Sequence, residues 1–192
     1  LNEALQEYTI GDPNLPKVDI GPIINKNSKD RLLKHISALK KSAKRTIEHH
    51  HKQDKGNLFI TPIVFEIDSI NQIDEENFGP ILHFIRYKNE NLQQVIDEIN
   101  DTGYGLTMGV HSRIVSKARR IFEAANVGNF YFNRDIVGAV VGVQPFGGQG
   151  LSGTGPKAGG PGYLYNFVTE KTYTDNVMAT GGNIELLNKN AM

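Results

Sequence analysis

The apolar positions in the middle of the chain alternate between strand-like and helix-like spacing. The short runs "ILHFIRY", "LTMGVH" and "GNFYFN" are typical of buried strands. Between them, "NLQQVIDEIND" and "SKARRIFEAAN" repeat apolar residues every three or four positions, which predicts amphipathic helices. Strands that alternate with helices are joined by right-handed crossovers. The pattern therefore predicts an α/β protein with a parallel sheet and flanking helices.

The first third of the chain predicts further elements. "LNEALQEYTIGDPNLP" indicates the last turns of a helix stopped by Gly11 and Pro13, and "NKNSKDRLLKHISALKKSA" a second helix capped by Asn27 or Ser28. The polar stretch "KRTIEHHHKQDKGN" predicts a solvated loop. "LFITPIVFEI" predicts a strand that Pro62 places at a sheet edge or at a bulge. A last strand, outside the alternation, is predicted at "YLYNFVTEKTYT".

Composition removes several classes of function. Twenty-one basic and 21 acidic residues cancel, so net charge gives no support for binding nucleic acid or an anionic membrane. No apolar run approaches the roughly 20 residues that span a bilayer. The chain has no cysteine, which excludes disulfides, thiolate metal sites and a cysteine nucleophile within it. It begins at Leu1, inside a helix-like stretch, and we expect it to be a piece of a longer protein.

The glycine-rich stretch "VQPFGGQGLSGTGPKAGGPG", residues 143–162, is the main candidate for chemistry. "GQGLSG" fits the letters of a dinucleotide-binding loop, but no strand leads directly into it and "TGPKAGGPG" cannot open a helix. "GLSGT" fails as a serine nucleophile elbow because Thr154 replaces the last glycine. The stretch is either a flexible surface loop or a loop that contacts a ligand through its backbone. Phe146 and the prolines favour the second alternative, since spacers rarely contain aromatic residues.

Other polar clusters are weaker candidates. His49–His51 could suggest a metal, but adjacent residues point in different directions, and a solvated stretch is the simpler interpretation. The lysines around residue 40 are most simply the wet face of their helix. Glu75 and Glu76, which precede "NFGP", fit either ordinary turn chemistry or acceptors for a diol. Their spacing alone leaves both alternatives open.

Three stretches together resemble the aldehyde dehydrogenase superfamily. "EENFGPILHF" resembles its E-x-F-G-P segment, and "NDTGYGLTMGVHSR" its N-x-x-x-Y-G-L motif. "VGNFYFNRDIVGAVVGVQPFGGQGLSGTG" resembles its G-x-x-x-x-N and P-F-G-G-x-x-x-S-G motifs. Within the superfamily, "GAVVGVQPFGGQGLSGTGPKAGGPGYL" is most similar to the enzymes that oxidise L-glutamate γ-semialdehyde, the open form of 1-pyrroline-5-carboxylate. "TDNVMATGGNIELL" is similar to the segment that closes this domain in the bifunctional bacterial proline utilization A flavoproteins.

The resemblance implies roles for five residues. Glu76 would hold the nicotinamide ribose of NAD, and Phe78 would pack beside the nicotinamide. Gly138 and Ala139 would anchor the substrate carboxylate through backbone N–H groups, and Phe146 would line the aldehyde tunnel. These residue types suit the roles, because a carboxylate can accept from two vicinal hydroxyls and small residues let an anion reach the main chain.

The resemblance places the bond-making chemistry outside these residues. In the family a cysteine thiolate attacks the aldehyde, and the thiohemiacetal loses hydride to NAD before hydrolysis. Because this chain has no cysteine, we assign no catalytic residue, and we expect the isolated chain to be inactive. Residues 1–162 would form the C-terminal part of the catalytic domain, and residues 163–192 an oligomerisation strand and tail. No metal site is expected.

The resemblance also implies partners. The substrate would be a small-molecule aldehyde, and the missing N-terminal half of the same dehydrogenase would complete the enzyme. The parent would be a cytoplasmic homo-oligomer without a transmembrane segment or nucleic-acid contact, and FAD would serve a fused proline dehydrogenase domain. One alternative is a non-catalytic truncated module that only oligomerises, which the absent cysteine favours and the non-methionine start disfavours. Another is a dehydrogenase of the same superfamily with a different aldehyde.

Overall fold

A computed structural model describes residues 1–50 and 58–176. Within these ranges the helices are α1 Asn2–Gln6, α2 Lys26–Ser42, α3 Leu92–Asp101 and α4 Val115–Ala124. The strands are β1 Arg45–Glu48, β2 Ile63–Glu66, β3 Ile81–Phe84, β4 Tyr104–Gly105, β5 Thr107–Val110, β6 Asn129–Phe132 and β7 Gln149–Gly150. The mixture confirms the predicted α/β class. The chain forms two compact units, of which the first contains Leu1–Tyr104 and His111–Asn126.

The first unit is built on a three-stranded sheet in the order β1-β2-β3. β2 runs parallel to β3, whereas β1 is antiparallel to β2. Successive apolar residues of β2 are all buried, which is typical of a strand covered on both faces. On one side of the sheet, Leu39 of α2 packs with Ile63, Phe65 and Ile67 in the core.

Two predictions for this sheet are wrong. The stretch assigned to a solvated loop contains β1, whose Thr46 lies opposite Phe65, and residues 51–57 of that stretch lie outside the described residues. Pro62 does not place β2 at an edge, because β2 is the central strand and begins at Ile63. A proline lacks an N–H donor but keeps its carbonyl, and the Pro62 carbonyl accepts from the His49 N–H at 3.1 Å.

The start of α2 also differs from the prediction. Asn25 caps the helix, and its side chain accepts from the Ser28 N–H at 2.8 Å. Asn27 and Ser28 therefore lie inside the first turn, and neither is the cap. A cap residue accepts from the N–H two or three positions later, and Asn25, two or three positions before the predicted caps, has a side chain as suitable for this as theirs.

The second unit contains Gly105–Val110 and the residues from Val127 onwards. β5 and β6 pair in parallel, with Thr107 opposite Asn129. The predicted late strand is wrong within the described residues: Tyr163–Phe167 forms a 3₁₀ segment, and residues 168–176 form no strand. The rings of Tyr163 and Phe167 meet edge to face, 5.5 Å apart, which favours a helical turn over an extended chain that has no strand beside it. Residues 177–192 lie outside the described part.

The two helices that follow the first sheet are tied together at their C-terminal ends. The Asn100 side chain donates to the Ala124 carbonyl at 2.9 Å and accepts from the Asn126 N–H at 2.8 Å. The Asn100 amide thereby satisfies a carbonyl that the end of α4 leaves unpaired and the N–H of a residue just after that helix. No helix in the described ranges is long and apolar enough to cross a membrane.

Candidate functional site

The E-x-F-G-P segment lies between a short 3₁₀ turn, Ile70–Gln72, and β3. Glu76 is exposed and lines a cavity of about 470 Å³ together with Glu75, Asp101 and Tyr104. Among the described residues, the Glu76 carboxylate has no hydrogen-bond or ion-pair partner. Its two oxygens are therefore available as acceptors, which is what a vicinal diol requires.

Phe78 faces a different part of the same unit. Its side chain is 77% exposed and lines a cavity with Pro22, Ile24 and Leu32. Glu76 and Phe78 are two residues apart, yet their side chains line separate cavities. The structure thus places both predicted cofactor residues on one exposed segment without bringing them into one cavity.

The second unit presents the predicted carboxylate anchor on a turn after β6. Gly138 has φ of +64°, a left-handed conformation that favours glycine. Its carbonyl accepts from the Tyr131 hydroxyl at 2.7 Å, and Tyr131 itself is 5% exposed. In the described structure, the N–H groups of Gly138 and Ala139 donate to no protein acceptor. Two adjacent free N–H groups on such a turn form a concavity suited to an anion.

Polar side chains hold this turn in shape. The Asp135 carboxylate accepts from the Val137 N–H at 3.1 Å, and the Gln144 side chain accepts from the Val140 N–H at 3.0 Å. The Val137 hydrogen bond, followed by the Arg134 guanidinium, holds the pKa of the Asp135 carboxyl below its usual range. Asp135 therefore stays ionised, and the turn keeps its acceptor at neutral pH.

The glycine-rich loop is ordered rather than a flexible spacer. Phe146 and Ala158 exchange two backbone hydrogen bonds, at 3.0 and 2.9 Å, which close the loop into a hairpin-like shape. The Asn129 side chain donates to the Pro145 carbonyl at 2.9 Å and accepts from the Gly147 N–H at 3.1 Å. Phe146 is half-buried between these two attachments. These hydrogen bonds favour a loop that contacts a ligand through its backbone over a flexible spacer.

Sequence reasoning missed the role of Asn129. The residue is only 8% exposed, and its amide fixes the start of the loop by pairing with backbone on both sides of Phe146. The signal was a polar residue in the apolar strand "NFYF", where positions 129 and 131 share the buried face. A buried amide in a strand is stable only with its hydrogen bonds satisfied.

Close backbone contacts explain much of the glycine content. A Cβ atom at Gly128 would overlap the Gly147 carbonyl, and one at Gly153 would overlap the Gly148 carbonyl. Lys157, which belongs to the loop, also contacts this region, because its Nζ donates to the Gly128 carbonyl. The ammonium group of Lys157 therefore binds the backbone at Gly128.

Neither the serine motif nor the dinucleotide-binding motif that the sequence analysis rejected is formed in the glycine-rich loop. The Ser152 hydroxyl accepts from the Gly105 N–H at 3.1 Å, which is a structural use of the side chain. Residues 149–150 form β7 and turns follow, so no helix opens after "GQGLSG". Within the described ranges, no group of three or more histidine or acidic side chains could hold a metal ion. His51 lies outside those ranges.

The Gly138 turn gives a testable prediction. On the roles that the resemblance implies, Gly138→Ala in the full-length protein is expected to raise the KM for the aldehyde about fivefold, since a side chain in the left-handed region costs about 1 kcal/mol and would shift the N–H groups of this turn. Steady-state kinetics at saturating NAD measure this. Gly142→Ala is the matched control, because Gly142 has φ of +79° and equally open space around it. Equal KM changes in both variants would contradict the prediction that the Gly138 turn binds the substrate carboxylate.

Comparison with known proteins shows the family of the chain. The aldehyde dehydrogenase family model matches residues 1–173. The chain is 42% identical over 177 residues to bifunctional protein PutA of Escherichia coli, covering 89% of this chain and 13% of that protein. It is 37% identical over 175 residues to 1-pyrroline-5-carboxylate dehydrogenase of Geobacillus, covering 90% of this chain and 33% of that enzyme.

A solved structure extends the likeness to the fold. A crystal structure of a mutant of proline utilization A from Bradyrhizobium japonicum matches with a TM-score of 0.81 and 50% identity, over 93% of this chain and 18% of that one. The chain therefore spans a minor part of each of these proteins. Because the family model covers nine-tenths of it, the chain belongs to the aldehyde dehydrogenase family.

Proposed function

We propose that this chain is the C-terminal part of an NAD-dependent dehydrogenase that oxidises L-glutamate γ-semialdehyde to L-glutamate in proline catabolism. The observation that carries the proposal is the turn at Gly138 and Ala139, whose two free N–H groups suit the carboxylate of an amino-acid aldehyde. The relatives named PutA and 1-pyrroline-5-carboxylate dehydrogenase support it, since each aligns with about nine-tenths of the chain.

The substrate would be held by two features of the second unit. The Gly138–Ala139 turn binds the carboxylate, and the half-buried Phe146 covers the methylene groups between carboxylate and aldehyde. Backbone donors cannot lose a proton or swing away, so they fix the aldehyde at one distance from the anchor. An aldehyde without this carboxylate would lose that constraint.

The cofactor would be held by the first unit. The unpaired Glu76 carboxylate fits the two ribose hydroxyls of NAD, and the exposed Phe78 ring offers an apolar surface for the nicotinamide. NAD supplies the hydride acceptor when bound. The attacking thiolate comes from outside these residues, because the chain has no cysteine, and the isolated chain is therefore inactive.

The larger protein would contain further parts. The name bifunctional protein PutA supports a second, fused activity, which we propose is a proline dehydrogenase that uses FAD in a homo-oligomeric protein. Residues 163–192 would contribute to oligomerisation. We place the enzyme in the cytoplasm.

The test is an activity measurement on the full-length protein and on this chain separately. The full-length protein is expected to reduce NAD with L-glutamate γ-semialdehyde at a kcat/KM at least about tenfold above that for an unbranched aldehyde without the carboxylate, since one charge-assisted anchor contributes about 1.5 kcal/mol or more. The isolated chain is expected to give none. Equal rates with both aldehydes would favour a different substrate in the same family. No activity in the full-length protein would favour the non-catalytic module.

A further inference from the structure

Helix α2 contacts the E-x-F-G-P segment at one point and the strand that follows it at another. A Cβ at Gly79 would lie 2.7 Å from Leu32 Cδ1, so Leu32 packs directly against that glycine. One helical turn later, His35 Nε2 lies 2.8 Å from His83 Nε2 of β3. Leu32 and His35 are three residues apart and therefore share one face of α2. One contact is apolar and the other is a single hydrogen bond between two imidazoles.

The two contacts fix a short segment. The Pro80 carbonyl accepts from the Ile63 N–H at 3.0 Å, and the proline ring restricts φ directly after Gly79. Only three residues separate Pro80 from Glu76, and they include Phe78. A shift of β3 against α2 would therefore move both side chains that the proposed function assigns to the cofactor.

The imidazole pair lies in a half-buried environment. The His83 ring stacks on Phe65, with centroids 6.3 Å apart, and meets His35 edge to face at 5.0 Å. Burial, and then the charge of His35, lower the pKa of His83 to about 4. Burial lowers the pKa of His35, against the attraction of Asp74 and Glu75. The charged groups that line the cavity beside His35 are Arg31, Lys34, Asp74 and Glu75.

The hydrogen bond between the two histidines limits how many protons the pair can carry. Two Nε2 atoms at 2.8 Å need one N–H donor and one lone pair, so at least one ring must be neutral at Nε2. The folded state binds the His83 proton more weakly than the unfolded state does. A first proton leaves the hydrogen bond in place, because one ring stays neutral, and the bond is lost only when His83 is protonated as well, as pH falls through about 4.

We propose that His35 and His83 are positioning residues that hold the Glu76–Phe78 segment in its cofactor-binding geometry by fixing β3 to α2. The inference rests on the proposed function, because it assigns the segment to NAD. Neither histidine contacts the reacting atoms in this proposal. Their effect passes through β3 and Pro80, so they act on cofactor affinity and not on the aldehyde.

The test uses the full-length protein and the fluorescence of bound NADH. His83→Leu removes the hydrogen bond but keeps an apolar side chain over Phe65, and it is expected to raise the Kd for NADH about fivefold at pH 8. The KM for the aldehyde should change less than twofold. His83→Gln places an amide near the position of Nε2 and should restore most of the affinity. His111→Gln, at an exposed histidine, serves as the control.

The pH dependence gives the second readout. The wild-type Kd for NADH should rise as pH falls from 6 to about 4, where His83 takes up its proton, and the rise should be smaller in His83→Gln because the amide does not titrate. Identical pH profiles in wild type, His83→Gln and His83→Leu would overturn the inference. So would a His83→Leu variant that is less heat-stable but binds NADH with wild-type affinity, since that separates a structural role from a positioning one. Failure of the wild-type protein to bind NADH would overturn the proposed function as well.

Discussion

Gly128→Ala is expected to destabilise the loop-bearing unit by more than about 3 kcal/mol, enough to abolish the native glycine-rich loop. The added Cβ would overlap the carbonyl oxygen of Gly147, which is backbone and cannot rotate away. Gly128 cannot shift either, because its N–H donates to the Gly105 carbonyl at 2.9 Å and its own carbonyl accepts from Lys157. Thermal unfolding and aldehyde kinetics of the full-length protein measure the loss.

The matched control is Gly155→Ala in the same loop. A Cβ there would lie 3.8 Å from the Asn166 side chain, an ordinary contact, and φ is not positive. Gly155→Ala should therefore leave the unfolding midpoint and the aldehyde KM near wild type. Equal stability in both variants would contradict the close contact between Gly128 and Gly147.

The contrast between these two glycines shows what sequence can and cannot predict. The glycine-rich sequence predicts a loop whose backbone makes close contacts, and the aromatic Phe146 argues against a flexible spacer. Which glycines are irreplaceable depends on contacts 19 residues apart, such as Gly128 with Gly147. Local pattern carries no information on such contacts, because they are set by how the loop returns to the strand.

Helices were the most predictable part of the fold. Their apolar faces repeat at short range, so α2, α3 and α4 were all predicted from spacing, with boundary differences of one or two residues. The short strand β1 was missed because its sequence, "RTIE", is mostly polar. Its extended conformation depends on pairing with β2, which the local sequence does not reveal. The late strand was predicted from its local sequence alone, and local sequence cannot supply the neighbouring strand that pairing requires.

The sequence predicted which residues belong to the candidate site, but it did not predict where their side chains lie. The resemblance singled out Glu76 and Phe78 as neighbours, whereas the structure orients their side chains into separate cavities. The roles of Asn129 and of the His35–His83 pair could not come from the motifs, since each joins segments far apart in the chain. Such side chains are recognised only when burial and partners are known.

Glu76→Ala is expected to raise the KM for NAD about 30-fold while the KM for the aldehyde changes little. Two charge-assisted hydrogen bonds to ribose hydroxyls would be lost, and because Glu76 is exposed the expected cost is at the low end, about 2 kcal/mol. Steady-state kinetics of the full-length protein, with each substrate varied in turn, measure the split. Glu75→Ala removes the same charge from the same cavity and should have less than a threefold effect. If Glu75→Ala matches Glu76→Ala, the cavity acts through its overall charge and Glu76 is not the diol acceptor.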